Sequence, residues 1–393
     1  MARTIIRRPC LALALSLIGT LPAPAGSDNP KEIFEAGQHA LAAGQSAEAE
    51  RDFDHLLALG VRSAPVYTNL GVVYLRTGRT AEAIRALRKA KELAPGMTGI
   101  DLNLGLAHYK LRDFKHAVPY FATVLSADPA SVQAHYLKGE CHFMMDQFDA
   151  AVTALAPIHE LEKDDLEYLF MLGISYGKLK RDREAQQTFA QLVASGGDTT
   201  HLHLLLGKAH LALGDYASAR TELEKAAAGA PALPYAHYYL GLLYEKLGEF
   251  EKAAAQFQEE TKVSPNDPWA WQDLATIRFS EADTDGALSL LETAVEHNPN
   301  APRLRSALAK AYLQKSQPRR AIPHLLRAIA LDPADGGYHY QLGKAYEQAG
   351  RPADAKAEMA KARLLQQQVL EGQMESLSHD RAGGTPQDAT SPE

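Results

Sequence analysis

An all-α solenoid of about ten stacked helix-turn-helix units is the fold this sequence predicts, and three observations predict it. In a frame of 34 residues starting at Pro30, the eighth slot reads Gly37, Gly71, Gly105, Gly139, Gly173, Gly207, Gly241, Ala275, Ala309 and Gly343, with no insertion or deletion. Twelve residues further on, alanine stands in all ten copies, from Ala49 and Ala83 to Ala321 and Ala355. Proline recurs at Pro95, Pro129, Pro231, Pro265, Pro299 and Pro333. Self-similarity at a fixed period of this size marks a repeat array. Each copy must stack on its neighbours, because one helix pair cannot bury its apolar face alone.

The elements follow from the slots. Residues 1–25 stand apart from the array. Arg3, Arg7 and Arg8 precede the apolar run Cys10–Ile18, and Ala23-Pro24-Ala25 closes the segment. This is the pattern of a secretory signal peptide cut after Ala25. The run is short for a bilayer of about 30 Å, so no stable membrane span is expected after cleavage. A mitochondrial presequence shares the arginines but is amphipathic, whereas this core is apolar throughout. Export implies a periplasmic or secreted chain. Cleavage takes the formal net charge from −7 to −10 and leaves Cys141 as the single cysteine. No internal disulfide is then possible, so stability must come from packing.

Within the repeats, Gly241 and Ala253 are small because two helices approach closely where they cross. Gly248, with Gly44, Gly78, Gly214 and Gly350 at the equivalent place, admits the left-handed residue that closes a helix. Pro265 cannot continue the helix before it. Between these signals, Pro234–Leu247 and Glu251–Val263 carry apolar residues at helical spacing. Residues 30–369 form the array. The glutamine-rich stretch Lys356–Leu377 suits a helix covering the last repeat, and residues 378–393 lack apolar periodicity and read as a disordered tail.

Leu240-Gly241, Tyr244, Gly248-Glu249-Phe250, Ala253, Phe257 and Pro265 together resemble the tetratricopeptide repeat. The resemblance covers about ten copies, and it implies a right-handed superhelix whose first helices line a concave ligand groove. It also implies a protein-interaction scaffold. Some copies depart from the pattern. Ala36 and Lys138 replace the leucine, Asp146 and Lys180 replace the turn glycine, and Gly197 stands in a proline slot. Looser junctions are expected near Lys163–Asp165 and Ser195–Gly197. The clamp that binds C-terminal carboxylates in some family members is unsupported, since its slots hold Phe34, Gln38, Thr68, Val72, Leu102 and Leu106.

Composition narrows the chemistry. A charged fraction of 23% and a hydrophobic fraction of 46% fit a folded soluble chain. The acidic balance lacks the basic footprint of a nucleic-acid binder. Two cysteines cannot build a thiolate zinc site. No serine-nucleophile elbow, phosphate loop or dinucleotide fingerprint is present, so the sequence predicts no enzyme and calls for no cofactor. Cys141, beside Glu140 and His142, reads as a buried structural thiol more readily than as a nucleophile.

Fifteen histidines raise a metal-binding alternative. His135 with His142, and His203 with His210, lie seven apart on one helical face. The frame places these histidines, with His108, in slots that hold Tyr67, Tyr74, Tyr244 or Trp271 elsewhere, so they read first as half-buried aromatic substitutes.

The remaining candidate is a surface. Helical projection puts Leu102, Leu106, Tyr109, Tyr136, Phe143, Phe170, Ile174, Leu204, Tyr235, Tyr238, Trp269 and Phe279 on the groove side of the first helices, edged by Lys110, Lys178, Lys208 and Lys246. Rigid rings flanked by cations suit an extended or helical peptide. A protein or peptide partner is therefore expected.

Overall fold

The computed structural model describes residues 29–229 and 233–382, so the expected signal peptide and the residues beyond Ala382 lie outside it. Among the described residues the regular structure is helical throughout, and the sequence-predicted all-α repeat architecture is what forms. First helices span Pro30–Ala42, Ala64–Arg76, Thr98–Lys110, Val132–Met144, Leu166–Lys178, Thr200–Leu213, Ala236–Lys246, Pro268–Ser280, Pro302–Gln314 and Gly336–Gln348. They alternate with second helices such as Phe114–Ala127, Phe250–Val263 and Pro318–Leu331. The chain divides into two compact units. Among the described residues, the unit Met1–Asp215 contains five helix pairs and a sixth first helix, and the unit Tyr216–Glu393 begins with the sixth second helix.

The small slot is a steric requirement. A Cβ added at Gly105 would sit 2.6 Å from Phe121 Cε1, and one at Gly71 would sit 2.5 Å from Leu87 Cγ. In the second unit a Cβ at Gly241 would come within 2.6 Å of Phe257 Cε1. The opposing side chains are fully buried and cannot step aside. At these crossings the first helix thus presses its own second helix at one point, and the leucines and alanines around that point close the core.

The turn slot is left-handed in all ten copies, glycine or not. Gly248 has φ 75°, and Arg112, Asp146, Lys180, Ala282 and Ser316 hold φ between 56° and 60° in the same place. Each non-glycine residue there costs about 1 kcal/mol. The backbone bond that closes the turn persists: Gln147 N donates to His142 O at 2.9 Å, as Glu249 N does to Tyr244 O at 2.8 Å. Loss of glycine therefore leaves these turns intact. The irregularity lies at the junctions instead. Pro157 breaks the fourth second helix into Phe148–Leu155, a 3-10 turn at Ala156–Ile158 and a short helix His159–Glu162. Gly197 takes φ 60° and ψ −155°, backbone that only glycine adopts easily.

Two helix boundaries differ from expectation. The seventh first helix begins at Ala236, not Pro234, because Tyr235 is left-handed at φ 72°. The last helix runs Pro352–Ala382 and takes in residues 378–382, which the sequence assigns to the tail. Its early turns cover the final first helix with Ala355 and Ala362 buried, while Leu364, Val369 and Leu370 stay exposed.

Candidate functional site

In the first unit, polar and aromatic side chains join successive first helices. Tyr109 donates its hydroxyl to Glu140 Oε1 at 2.5 Å, 31 residues on. Phe143 meets Phe170 edge to face at 6.1 Å between centroids. Lys208 lies over that same Phe170 ring, its Nζ 4.8 Å from the centroid. Glu167 pairs with His201 Nε2 at 2.9 Å.

Burial sets the protonation of this group. Removal from water pushes the Glu140 carboxyl up to about 7; Glu167's charge adds to this and Tyr109's hydrogen bond opposes it. Burial likewise pulls the Lys208 ammonium down to about 8, against the attraction of Glu167. Glu167 is itself raised by burial, but the His201 hydrogen bond and charge outweigh this and hold it below the ordinary carboxylate range. A carboxyl near neutrality resembles a general base, yet Glu140 is 1% exposed and already engaged by Tyr109. Cys141 is completely buried, and burial followed by Glu140's charge pushes its thiol well above the ordinary range. A thiol held protonated in this way is a poor nucleophile.

The second unit repeats the device. Tyr235 donates to Asp267 Oδ2 at 2.6 Å and Tyr238 to Asp273 Oδ2 at 3.1 Å, the first joining two helix entries and the second two helix bodies. The buried Glu260 carboxylate accepts from the backbone N–H groups of Tyr235 at 2.8 Å and Tyr238 at 3.2 Å. It thereby satisfies donors at a helix start that would otherwise be unpaired. Arg303 lies 5.7 Å from the Trp269 ring and Lys310 4.6 Å from the Phe279 ring. A ring in one repeat is thus gripped by a charged group of the next.

The projected stripe is therefore not uniformly open. Leu102, Tyr109, Tyr136, Phe143, Tyr235, Tyr238, Trp269 and Phe279 are half-buried and keep part of their surface in solvent. Leu106, Phe170, Ile174, Leu204 and Lys208 are buried. Phe170 and Ile174 join one buried apolar cluster, Leu106 joins another and Lys208 lies over Phe170; the burial of all five corrects their assignment to a free surface. Two of the expected rim cations are also engaged. Lys110 donates to Leu75 O at 3.1 Å and Lys178 donates to Ala212 O, each closing a carbonyl at the end of a neighbouring first helix. Of these partners, Glu140 is noted in the sequence only as a neighbour of Cys141, and Asp267, Asp273, Arg303 and Lys310 are not singled out there. The signal was present: Tyr109–Glu140 and Phe279–Lys310 share one 31-residue step.

The histidine alternative fares poorly at its named residues. His135 has both ring nitrogens against carbonyls, Ala154 O at 2.9 Å and Pro129 O at 3.1 Å. His142 pairs with Gln147 at 2.7 Å, His203 with Asp198 at 2.8 Å and His210 with Asp215 at 3.2 Å. None of the four belongs to a three-donor grouping among the described residues. No helix among the described residues is long and apolar enough to cross a membrane.

Comparison with known proteins places these observations. A family model described as tetratricopeptide repeat matches residues 34–98, 102–157, 170–234, 204–268 and 306–367, and a second with the same description matches 278–321. Anaphase-promoting complex subunit 3 of Schizosaccharomyces pombe is 23% identical over 155 residues, which is 39% of this chain and 23% of that protein. The chain thus spans about a quarter of the length of this curated relative. Among solved structures, a human IFIT1 dimer with m7Gppp-AAAA is 18% identical at a TM-score of 0.41, covering 86% of this chain and 90% of that one. A crystal structure of MamA is 19% identical at a TM-score of 0.39, covering 42% of this chain and 97% of that one.

Proposed function

The chain belongs to the tetratricopeptide repeat family, and from that premise we propose that it is an exported, non-catalytic scaffold. It docks a partner protein on the aromatic rings that the first helices of each unit present. One observation carries this reading. Phe143, Tyr238, Trp269 and Phe279 remain part-exposed while neighbouring rings or charged groups hold them in place. Rings fixed before binding lose little entropy on contact, which is what a hot spot requires. Tetratricopeptide repeats support a protein partner. The basic start, apolar run and Ala-Pro-Ala ending of residues 1–25 support export.

The test is capture of partners from the organism's envelope fraction by purified chain, with the retained proteins identified by mass spectrometry. Phe143→Ala and Trp269→Ala are each expected to reduce retention of the specific partner several-fold, and together to abolish it, with helical circular dichroism unchanged. Equal retention by the folded double variant would contradict the reading.

A further inference from the structure

We propose that His108, Asp113 and His116 form a binding site for one divalent transition-metal ion of the zinc, nickel or copper class. The three donors surround the turn of the third repeat. His108 lies near the end of the first helix Thr98–Lys110, Asp113 immediately precedes the second helix Phe114–Ala127, and His116 is in its first turn. The left-handed Arg112 folds the chain back, and Asp113 N donates to His108 O at 2.9 Å. This places the Asp113 carboxylate between two imidazoles, with Oδ2 2.9 Å from His108 Nδ1 and Oδ1 2.7 Å from His116 Nδ1. All three donor atoms lie within 4.8 Å of one another.

A tetrahedral ion with bonds near 2.0–2.1 Å needs donors about 3.3 Å apart, so small side-chain rotations complete the set. Metal bonds then replace the two hydrogen bonds, and each Nδ1 gives up its proton. One side of the site is already fixed. His108 is 7% exposed and stacks on Tyr120 at 5.6 Å with 17° between the rings. The His116 side chain is 69% exposed, which gives it freedom to rotate and gives the ion a path from solvent. Two imidazoles and one carboxylate leave further positions for water, a donor set that suits zinc, nickel or copper over calcium or magnesium.

The repeat frame supplies an independent argument. In the same corner of other repeats a cation lies over an aromatic ring: Arg79 on Tyr74 at 4.3 Å, Arg181 on Tyr176 at 4.6 Å, Lys252 on Tyr244 at 5.4 Å, Arg320 on Tyr312 at 4.4 Å and Arg351 on Tyr346 at 4.2 Å. The third repeat has no lysine or arginine in the corresponding slots at 108, 113 and 116. It is also the copy that carries metal-binding side chains in all three. A metal ion would supply positive charge to a corner where five other repeats place a lysine or arginine over a ring.

The experiment is isothermal titration of tag-free, chelator-treated full chain with zinc, nickel or copper chloride, each alone, at pH 7.5. One ion per chain is expected at micromolar affinity or tighter for at least one metal. His116→Ala, at an exposed position that leaves the fold intact, is expected to weaken binding about 100-fold. His142→Ala and His210→Ala should leave it unchanged. X-ray absorption of the loaded chain should show two imidazoles among nitrogen and oxygen ligands. Absence of binding for all three metals, or binding that survives both His116→Ala and Asp113→Asn undiminished, would overturn the site.

Discussion

Glu140→Gln is expected to stabilise the protein at pH 8 by on the order of 3 kcal/mol and to have almost no effect at pH 4. Burial lifts this carboxyl from its ordinary 4.5 to about 7. The folded chain therefore holds a proton on Glu140 between those values when the unfolded chain does not. Stability from this group is complete below pH 4.5 and is lost as pH rises through 7, because the ionised form is penalised where it sits. A difference of 2.5 units at about 1.4 kcal/mol each sets the scale. Glutamine keeps an oxygen to accept the Tyr109 hydroxyl and carries no charge to desolvate. Urea midpoints of both proteins from pH 4 to pH 8 test this. A variant no more stable than the parent at pH 8 would show that the ionised carboxylate is well solvated or well paired. Lys208 acts in the opposite sense: its penalty is present below about 8 and fades as pH rises toward the ordinary 10.5.

Gly105→Val is expected to cost about 3 kcal/mol, the upper part of the usual range for overpacking a core. Its Cβ would lie 2.6 Å from the ring of Phe121, which is fully buried and has nowhere to go. The helices must then separate, and the packing around that crossing loosens with them. Gly96 supplies the control, because nothing lies within 4 Å of a Cβ there, and Gly96→Val should change stability far less. Adding Phe121→Leu to Gly105→Val should recover at least 1 kcal/mol relative to the sum of the single effects, as expected for two groups that collide. Additive losses in denaturant titrations would mean that the small slot is not a packing constraint.

The packing constraint is also the part of the molecule most legible in sequence. A helix crossing needs a small residue at one place, the need recurs every 34 residues, and so Gly37 through Gly343 announce it without coordinates. The turn slot was only half legible. Glycine at Gly248 advertises a left-handed residue, whereas Ala282 and Ser316 adopt the same φ because the hydrogen-bonded turn around them overrides their own preference. Of the proposed binding face, composition is legible in the sequence and depth is not. Helical projection puts Phe170, Ile174 and Leu204 on the groove side, but it cannot tell that folding buries them. The charged partners Asp267 and Asp273 escaped for a related reason, as did the pairing of Glu140 with Tyr109. Each becomes significant only when the offset between adjacent repeats is known, and that offset belongs to packing and not to any one helix. His108 was understood as an aromatic substitute, and it does stack on Tyr120. Its second role depends on Asp113 and His116, which approach across a turn.

Site-specific photo-crosslinking in cells tests the central claim most directly. A benzophenone side chain placed at Phe143 or Trp269 probes the first-helix face, and one at Leu93 or Leu326 probes exposed apolar positions on second helices. A common partner is expected to crosslink from Phe143 and Trp269 and not from Leu93 or Leu326. Crosslinking from the second-helix positions alone would contradict that claim.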